Sequence, residues 1–278
     1  MANTLVQDLI EAGIHFGQRA SGWNPKMGPY IYGKRNGIHI IDIKETVKGL
    51  LLAKKFIAKT VASGKDVVFV GTKRQAKSVL EQRVGDAKMH YVTERWLGGT
   101  LTNFRTIRLR LKRLEELEAI QNSDNFASYS KKMESQLKRE LSKIKRNLDG
   151  IRKMEKLPGA LVVIDVKHEV TALKEARKLG IPTIALVDTD GDPELVDLPI
   201  PGNDDSMKSI DVVIRELCLA VNDGRQARQM SGETAPTGGE GGDASNAPGR
   251  GDRRSRRPQT RASELAGQDA PAEGAAAQ

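Results

Sequence analysis

Two stretches of the chain place cations and glycines where a phosphate could sit. Gly28-Pro-Tyr-Ile-Tyr-Gly33-Lys34-Arg35 has the spacing of a phosphate-binding loop up to its lysine, but Arg35 stands where a magnesium-holding Ser or Thr is required. Trp23-Asn-Pro25 ahead of it reads as loop rather than strand, so nucleotide hydrolysis there is rejected. Gly33 to Gly37 is better read as a basic turn offering amides and cations to phosphates. Gly71-Thr-Lys73-Arg74-Gln-Ala-Lys77 ends an expected strand and opens an expected helix. There, free amides and the helix dipole meet three cations, a position that suits a mononucleotide or an RNA phosphate equally.

Other chemistry-bearing residues point to no reaction. Asp188-Thr-Asp190-Gly-Asp192 is acidic enough for a metal but has no downstream bidentate Glu at the right spacing, so a plain turn is expected. His15, His39, His90 and His168 are scattered, and none has a second histidine at ligand spacing. Cys218, the single cysteine, lies among Leu217, Leu219 and Val221 and reads as a small buried hydrophobe. No Gly-x-Gly-x-x-Gly follows a strand, and there is no nucleophile elbow. Arg250-Gly-Asp252 has no context in a cytosolic chain. Neither a cofactor nor a metal is expected.

The elements that must position these residues alternate. Strands are expected at 38–43, 66–71, 89–93, 160–166 and 183–187. Helices are expected at 46–62, 74–84, 169–179 and 206–221, the last with Ser206 as N-cap. Runs such as Leu-Val-Val-Ile and Ile-Ala-Leu-Val are continuously apolar, which marks strands covered on both faces. The fold class is therefore α/β, a doubly wound parallel sheet of the flavodoxin-like or Rossmann-like kind.

Residues 102–156 break the alternation, because a crossover needs far fewer. Ile107, Leu111, Leu114 and Leu117 recur at helical spacing, as do Leu137, Leu141, Ile144, Leu148 and Ile151. Two helices with a narrow apolar seam, joined by a polar turn, make an inserted antiparallel coiled-coil hairpin. Arg95-Trp96-Leu-Gly-Gly99 is its junction with the sheet. Trp96 suits either a core anchor or a platform for an unpaired base. The expected layout is an α/β domain over 1–101 and 157–224, the hairpin over 102–156, and a disordered tail of Gly, Ala, Pro, Ser and Arg over 225–278, dispensable for folding.

Of the 278 residues 45 are Lys or Arg and 36 Asp or Glu, a net charge of +9 that favours a polyanionic partner. The hairpin alone holds fifteen cations against eight acids, a net +7. A thin basic arm on a nearly neutral domain suits RNA, each phosphate contact releasing counterions. A membrane partner is discounted, because the hairpin's apolar residues are consumed by its own seam. One cysteine fits a reducing cytosol, and Asp8 and Glu11 interrupt the opening residues, so no signal peptide is expected. RNA contacts are assigned to Lys26, Lys34, Arg35, Lys73, Arg74, Arg95 and Trp96 in the domain. In the hairpin they are assigned to Arg105, Arg108, Arg110, Lys112, Lys138, Arg139, Lys143 and Arg146.

Several motifs carry a resemblance. Gly13-Ile-His-Phe-Gly17, Trp23-Asn-Pro-Lys-Met27 and the run from Tyr30 to Asp42 are three of them. Arg95-Trp-Leu-Gly-Gly-Thr-Leu-Thr-Asn-Phe104, Leu157-Pro-Gly-Ala-Leu-Val-Val-Ile-Asp165 through Glu169 and Glu175, and Ile200-Pro-Gly-Asn-Asp204 continue it. The matches are collinear over residues 1 to about 225, and together they resemble the bacterial small-ribosomal-subunit protein two family. Gln18 and Ser21-Gly22 depart from it, replacing a usual histidine and usual basic residues. The resemblance implies a non-enzymatic structural part of the small subunit, located on the ribosome in the cytoplasm. Its implied partners are small-subunit ribosomal RNA, neighbouring ribosomal proteins and the large mRNA-binding ribosomal protein one. The residues alone leave open a nucleotide-dependent α/β enzyme using Gly71–Lys77 and a free RNA-binding regulator.

Overall fold

The structure, a computed structural model, describes residues 2–123 and 130–233. Helix α1 (Ala2–Glu11) leads into strand β1 (Phe16–Arg19). A 3-10 turn, Pro25–Tyr30, then leads into strands β2 (Ile31–Arg35) and β3 (Ile38–Ile41). These form a small antiparallel sheet ordered β1-β3-β2. Asn36 and Gly37 both have positive φ, 52° and 77°. They make the two-residue turn that matches the right-handed twist of a hairpin. Lys34 and Arg35 therefore sit in a strand, not in the basic turn expected for Gly33 to Gly37.

Helix α2 (Ile43–Ala62) starts at Asp42, whose carboxylate accepts from the Lys44 amide at 2.9 Å. Strand β4 (Val67–Val70), helix α3 (Arg74–Asp86) and strand β5 (His90–Val92) follow. Helices α4 (Phe104–Gln121) and α5 (Lys131–Leu148) come next, then strand β6 (Ala160–Ile164), helix α6 (Val170–Lys178) and strand β7 (Thr183–Val187). Strand β8 (Leu198–Pro201) and helix α7 (Met207–Glu233) complete the order. The main sheet is parallel and ordered β5-β4-β6-β7-β8. That is the flavodoxin-like order, with its switch point between β4 and β6.

The continuously apolar strands feed two cores. Val67, Phe69, Ala160, Val162, Ile164, Ile184 and Leu186 meet α2, α3 and α7 on one face. Val68, Val70, Leu161, Val163, Ala185 and Val187 meet α6, Trp96 and the roots of α4 and α5 on the other. Alternate side chains of one strand leave in opposite directions, so a strand buried on both sides must be apolar throughout.

Two further expectations need correction. Residues 198–201 are not among the expected strands, because Pro199 and Pro201 oppose one; they form β8, the edge strand, where a missing amide is tolerated. Helix α7 does not stop at Val221 but runs to Glu233, so residues 225–233 are helix rather than tail. Gly224 is not the end of the body. It is a close-packing position: a Cβ there would lie 2.6 Å from the Ala58 carbonyl oxygen of α2. Ser206 accepts from the Ser209 amide at 3.4 Å, as an N-cap does. The remainder of the expected tail, 234–278, lies outside the described residues. No helix among the described residues is long and apolar enough to cross a membrane.

Candidate nucleic-acid interface

In doubly wound sheets, ligands lie outside the carboxyl ends of the strands at the switch point. Here that crevice is filled by the protein's own side chains. After β4, the Thr72 amide and hydroxyl both donate to Glu169, which is 3% exposed. Lys73 extends to Asp204 at 2.7 Å, Asp205 at 2.5 Å and Asp165 at 3.5 Å. Gln18 of β1 reaches Asp188 at 3.2 Å and also donates to Asp205. His168 Nδ1 lies 2.6 Å from Asp165.

The electrostatics follow from several carboxylates gathered around one ammonium. Burial opposes the charge on Lys73, but the hydrogen bonds to Asp204 and Asp205 outweigh it and hold the ammonium above the ordinary lysine range. Burial first, then repulsion from Asp165, pushes Asp204 up to about 7. Burial pushes Asp188 up to about 6. Lys73, expected to meet an RNA phosphate, is thus committed inward, and the anion site of Gly71–Lys77 already holds carboxylates. Arg74, at the start of α3, is exposed and has no partner among the described residues.

Trp96 is 7% exposed, within the core at the root of α4. Its indole nitrogen donates to Glu175 of α6 at 3.2 Å. The same carboxylate accepts from the amides of Gly99 at 2.7 Å, Leu101 at 3.0 Å and Thr102 at 3.1 Å. Burial raises the Glu175 pKa, but these donors outweigh it and hold it below the ordinary value. Trp96 is therefore the core anchor of the two readings. Glu175 stands in the sequence only as part of a family motif; nothing in its local surroundings marks it as the residue that holds this loop. Neighbouring Arg95 is exposed and unpartnered among the described residues.

Helices α4 and α5 pack through Ile107, Leu111, Leu114 and Leu117 on one and Leu137, Ile144 and Leu148 on the other. The expected cations divide here. Arg108 donates to the Met154 carbonyl at 3.1 Å, Arg146 lies 3.7 Å from Glu94, and Lys138 pairs with Glu134. Arg105, Arg110, Lys112, Arg139 and Lys143 are exposed and make no side-chain hydrogen bond or ion pair among the described residues. In the small sheet, Lys34 and Arg35 are likewise free among the described residues, whereas Lys26 is held by Asp192 at 2.9 Å and Glu194 at 2.5 Å. Asp192 also caps the turn at Glu194, as a plain acidic turn would, while Asp188 joins the buried cluster. Cys218 is buried and its thiol is pushed up to about 12, so it is an inert apolar filler.

A flavodoxin-ordered sheet with its crevice closed by internal ion pairs, bearing a helical pair studded with spare cations, defines a polyanion-binding protein rather than a nucleotide enzyme. Comparison with known proteins sharpens this. The family model described as Ribosomal protein S2 matches residues 9–224. The small ribosomal subunit protein uS2 of Rhodopirellula baltica is 55% identical over 236 residues, covering 85% of this chain and 90% of the relative. The uS2 protein of Syntrophobacter fumaroxidans is 46% identical over 81% of this chain and 82% of its own. The uS2c protein of Rhodomonas salina is 46% identical over 83% and 95%. The chain belongs to the ribosomal protein S2 family. It is accordingly a structural constituent of the small ribosomal subunit and not an enzyme.

Proposed function

We propose that α4 and α5 form an antiparallel coiled-coil hairpin that carries the main contact with small-subunit ribosomal RNA. The observation that carries this reading is the set of spare cations: residues 102–156 hold a net +7, and Arg105, Arg110, Lys112, Arg139 and Lys143 have no partner among the described residues. A cation without a carboxylate gives up little when it meets a phosphate, whereas a paired one must first break its pair. Lys34 and Arg35 on the small sheet, with Arg74 and Arg95 at the carboxyl edge of the main sheet, extend the contact. The division into an α/β domain over 1–101 and 157–233, to the end of α7, and a hairpin over 102–156 follows from the same reading.

The protein works on the ribosome in the cytoplasm with no cofactor, beside other small-subunit proteins, and helps dock the large mRNA-binding ribosomal protein one. Reconstitution of small subunits with the five hairpin cations changed to Ala tests the RNA contact. Incorporation at raised salt should fall sharply while the melting temperature of the free protein stays the same. Full incorporation at every salt concentration would move the contact elsewhere.

A further inference from the structure

The root of the helical pair carries a groove whose chemistry differs from that of a phosphate track. It is about 560 Å³ in volume and is lined by Leu97 of the junction, Ile144 and Leu148 of α5, and the stems of Arg110, Arg139 and Lys143. Leu148 is buried, and Leu97 and Ile144 are half-buried. The three cations are exposed and free of partners among the described residues. The single acid in the lining, Glu140, is faced by Arg113 at 3.5 Å. Gln136 adds an exposed amide able to donate and accept.

We propose that this groove receives one unstacked nucleobase of single-stranded or bulged RNA, resting on the reading of the pair as the RNA contact. A duplex backbone presents phosphates and sugars, and for those the cations alone suffice; Leu97, Ile144 and Leu148 would gain nothing. A splayed-out base presents an apolar face and a polar edge joined to a phosphate. Leu97 and Ile144, with Leu148 buried beneath them, take its face, a guanidinium of Arg110 or Arg139 covers it, Gln136 meets its edge, and Lys143 takes the attached phosphate. An apolar protein segment would fill the same floor, but three spare cations at the rim select an anion-bearing partner.

The test uses the full chain and two probes of equal length and charge, a short single-stranded oligoadenylate and its abasic counterpart, in fluorescence anisotropy titrations. The unaltered protein should prefer the base-bearing probe by roughly tenfold, as one stacked base provides. Ile144→Ser should bring that ratio near one while leaving the salt dependence intact. Leu97→Ser lies outside the helices and should do the same, which guards against a misfolded Ile144 variant. Lys143→Ala should weaken both probes alike and leave the ratio standing. A ratio near one for the unaltered protein, or a ratio that survives both apolar substitutions, overturns the base slot but leaves the phosphate contact intact. Failure of both probes to bind in a salt-dependent way overturns the underlying reading as well, and the slot with it.

Discussion

Glu175 accepts the Trp96 indole N–H at 3.2 Å, joining α6 to the loop from which α4 departs. Three backbone amides of that loop converge on the same carboxylate. A buried acid with several donors is worth more than its single bonds, because removing it strands every donor at once.

Trp96→Ala should cost about 3–5 kcal/mol, measured by urea unfolding, as large aromatic core truncations do. Glu175→Gln should cost roughly 1.5–3 kcal/mol for the weakened charge-assisted bonds. The pH dependence has a definite sign. Glu175 is held below its ordinary value of 4.5, so its contribution is present above that value and is lost as pH falls through the folded pKa. The gap between Glu175→Gln and the unaltered protein should therefore close in acid. A gap constant with pH would mean that the carboxylate charge is not what holds the loop.

Lys73→Met should be strongly destabilising, by about 3–5 kcal/mol, because it leaves buried carboxylates without their cation. The loss should be greater near about pH 8 than near about pH 5, since protonation relieves the repulsion. Asp204 behaves in the opposite sense to Glu175. With a folded pKa pushed up from 3.8 to about 7, its contribution is present below its ordinary value and lost as pH rises through about 7. Relative to the unaltered protein, Asp204→Asn should accordingly be more stable above about pH 7 than below it. Urea midpoints across that range check both variants, and flat differences would show that the cluster does not titrate there.

Gly224→Ala sets helix propensity against packing. Alanine is favoured in a helix interior by about 1 kcal/mol. The added Cβ, however, would meet the Ala58 oxygen at 2.6 Å and the Val61 Cβ at 2.9 Å. Overpacking of this kind costs about 1–3 kcal/mol, so the variant should melt lower. Truncation after Gly224 should also lower the melting temperature, because Arg225 donates to the carbonyls of Ala87 and Lys88. A truncated chain as stable as the full one would return these residues to a dispensable tail.

The cations of the helical pair should divide in RNA binding as they divide in the structure. Changing Arg105, Arg110, Lys112 and Lys143 together to Ala should reduce the log–log salt slope by roughly 0.7–0.9 units for each phosphate no longer neutralised. Changing the internally partnered Arg108, Arg113, Lys138 and Arg146 should reduce it much less, although the formal charge removed is the same. Equal reductions would mean that bulk charge, not spare cations, makes the contact.

Much of the architecture is legible in the sequence because its signals are local. Four apolar residues in a row at Val67–Val70 can only be a strand buried on both faces, or a buried helix too short to stand. The spacing of Ile107, Leu111, Leu114 and Leu117 can only be a helix face. The misreadings also have local causes. Pro199 and Pro201 argue against a central strand, and nothing within four residues says that β8 lies at an edge. Asn36-Gly37 is a strong hairpin signal, masked by the neighbouring cations. Gly224 resembles a helix stop until Ala58, far away in the chain, is seen to press against it.

Residue types and spacing within a few turns are enough to tell which residues are buried and which strands are covered on both sides. They are also enough to place most of the net positive charge in residues 102–156. Which cations are spare is a different matter, settled by three-dimensional packing alone. Lys73 and Arg110 read alike as basic residues able to meet a phosphate, yet one is enclosed by Asp165, Asp204 and Asp205 and the other faces solvent. Coulomb attraction and desolvation act over a few ångströms, and the nearest carboxylates that neutralise Lys73, on Asp204 and Asp205, lie more than 130 residues away along the chain, brought to it by the strand order of the parallel sheet.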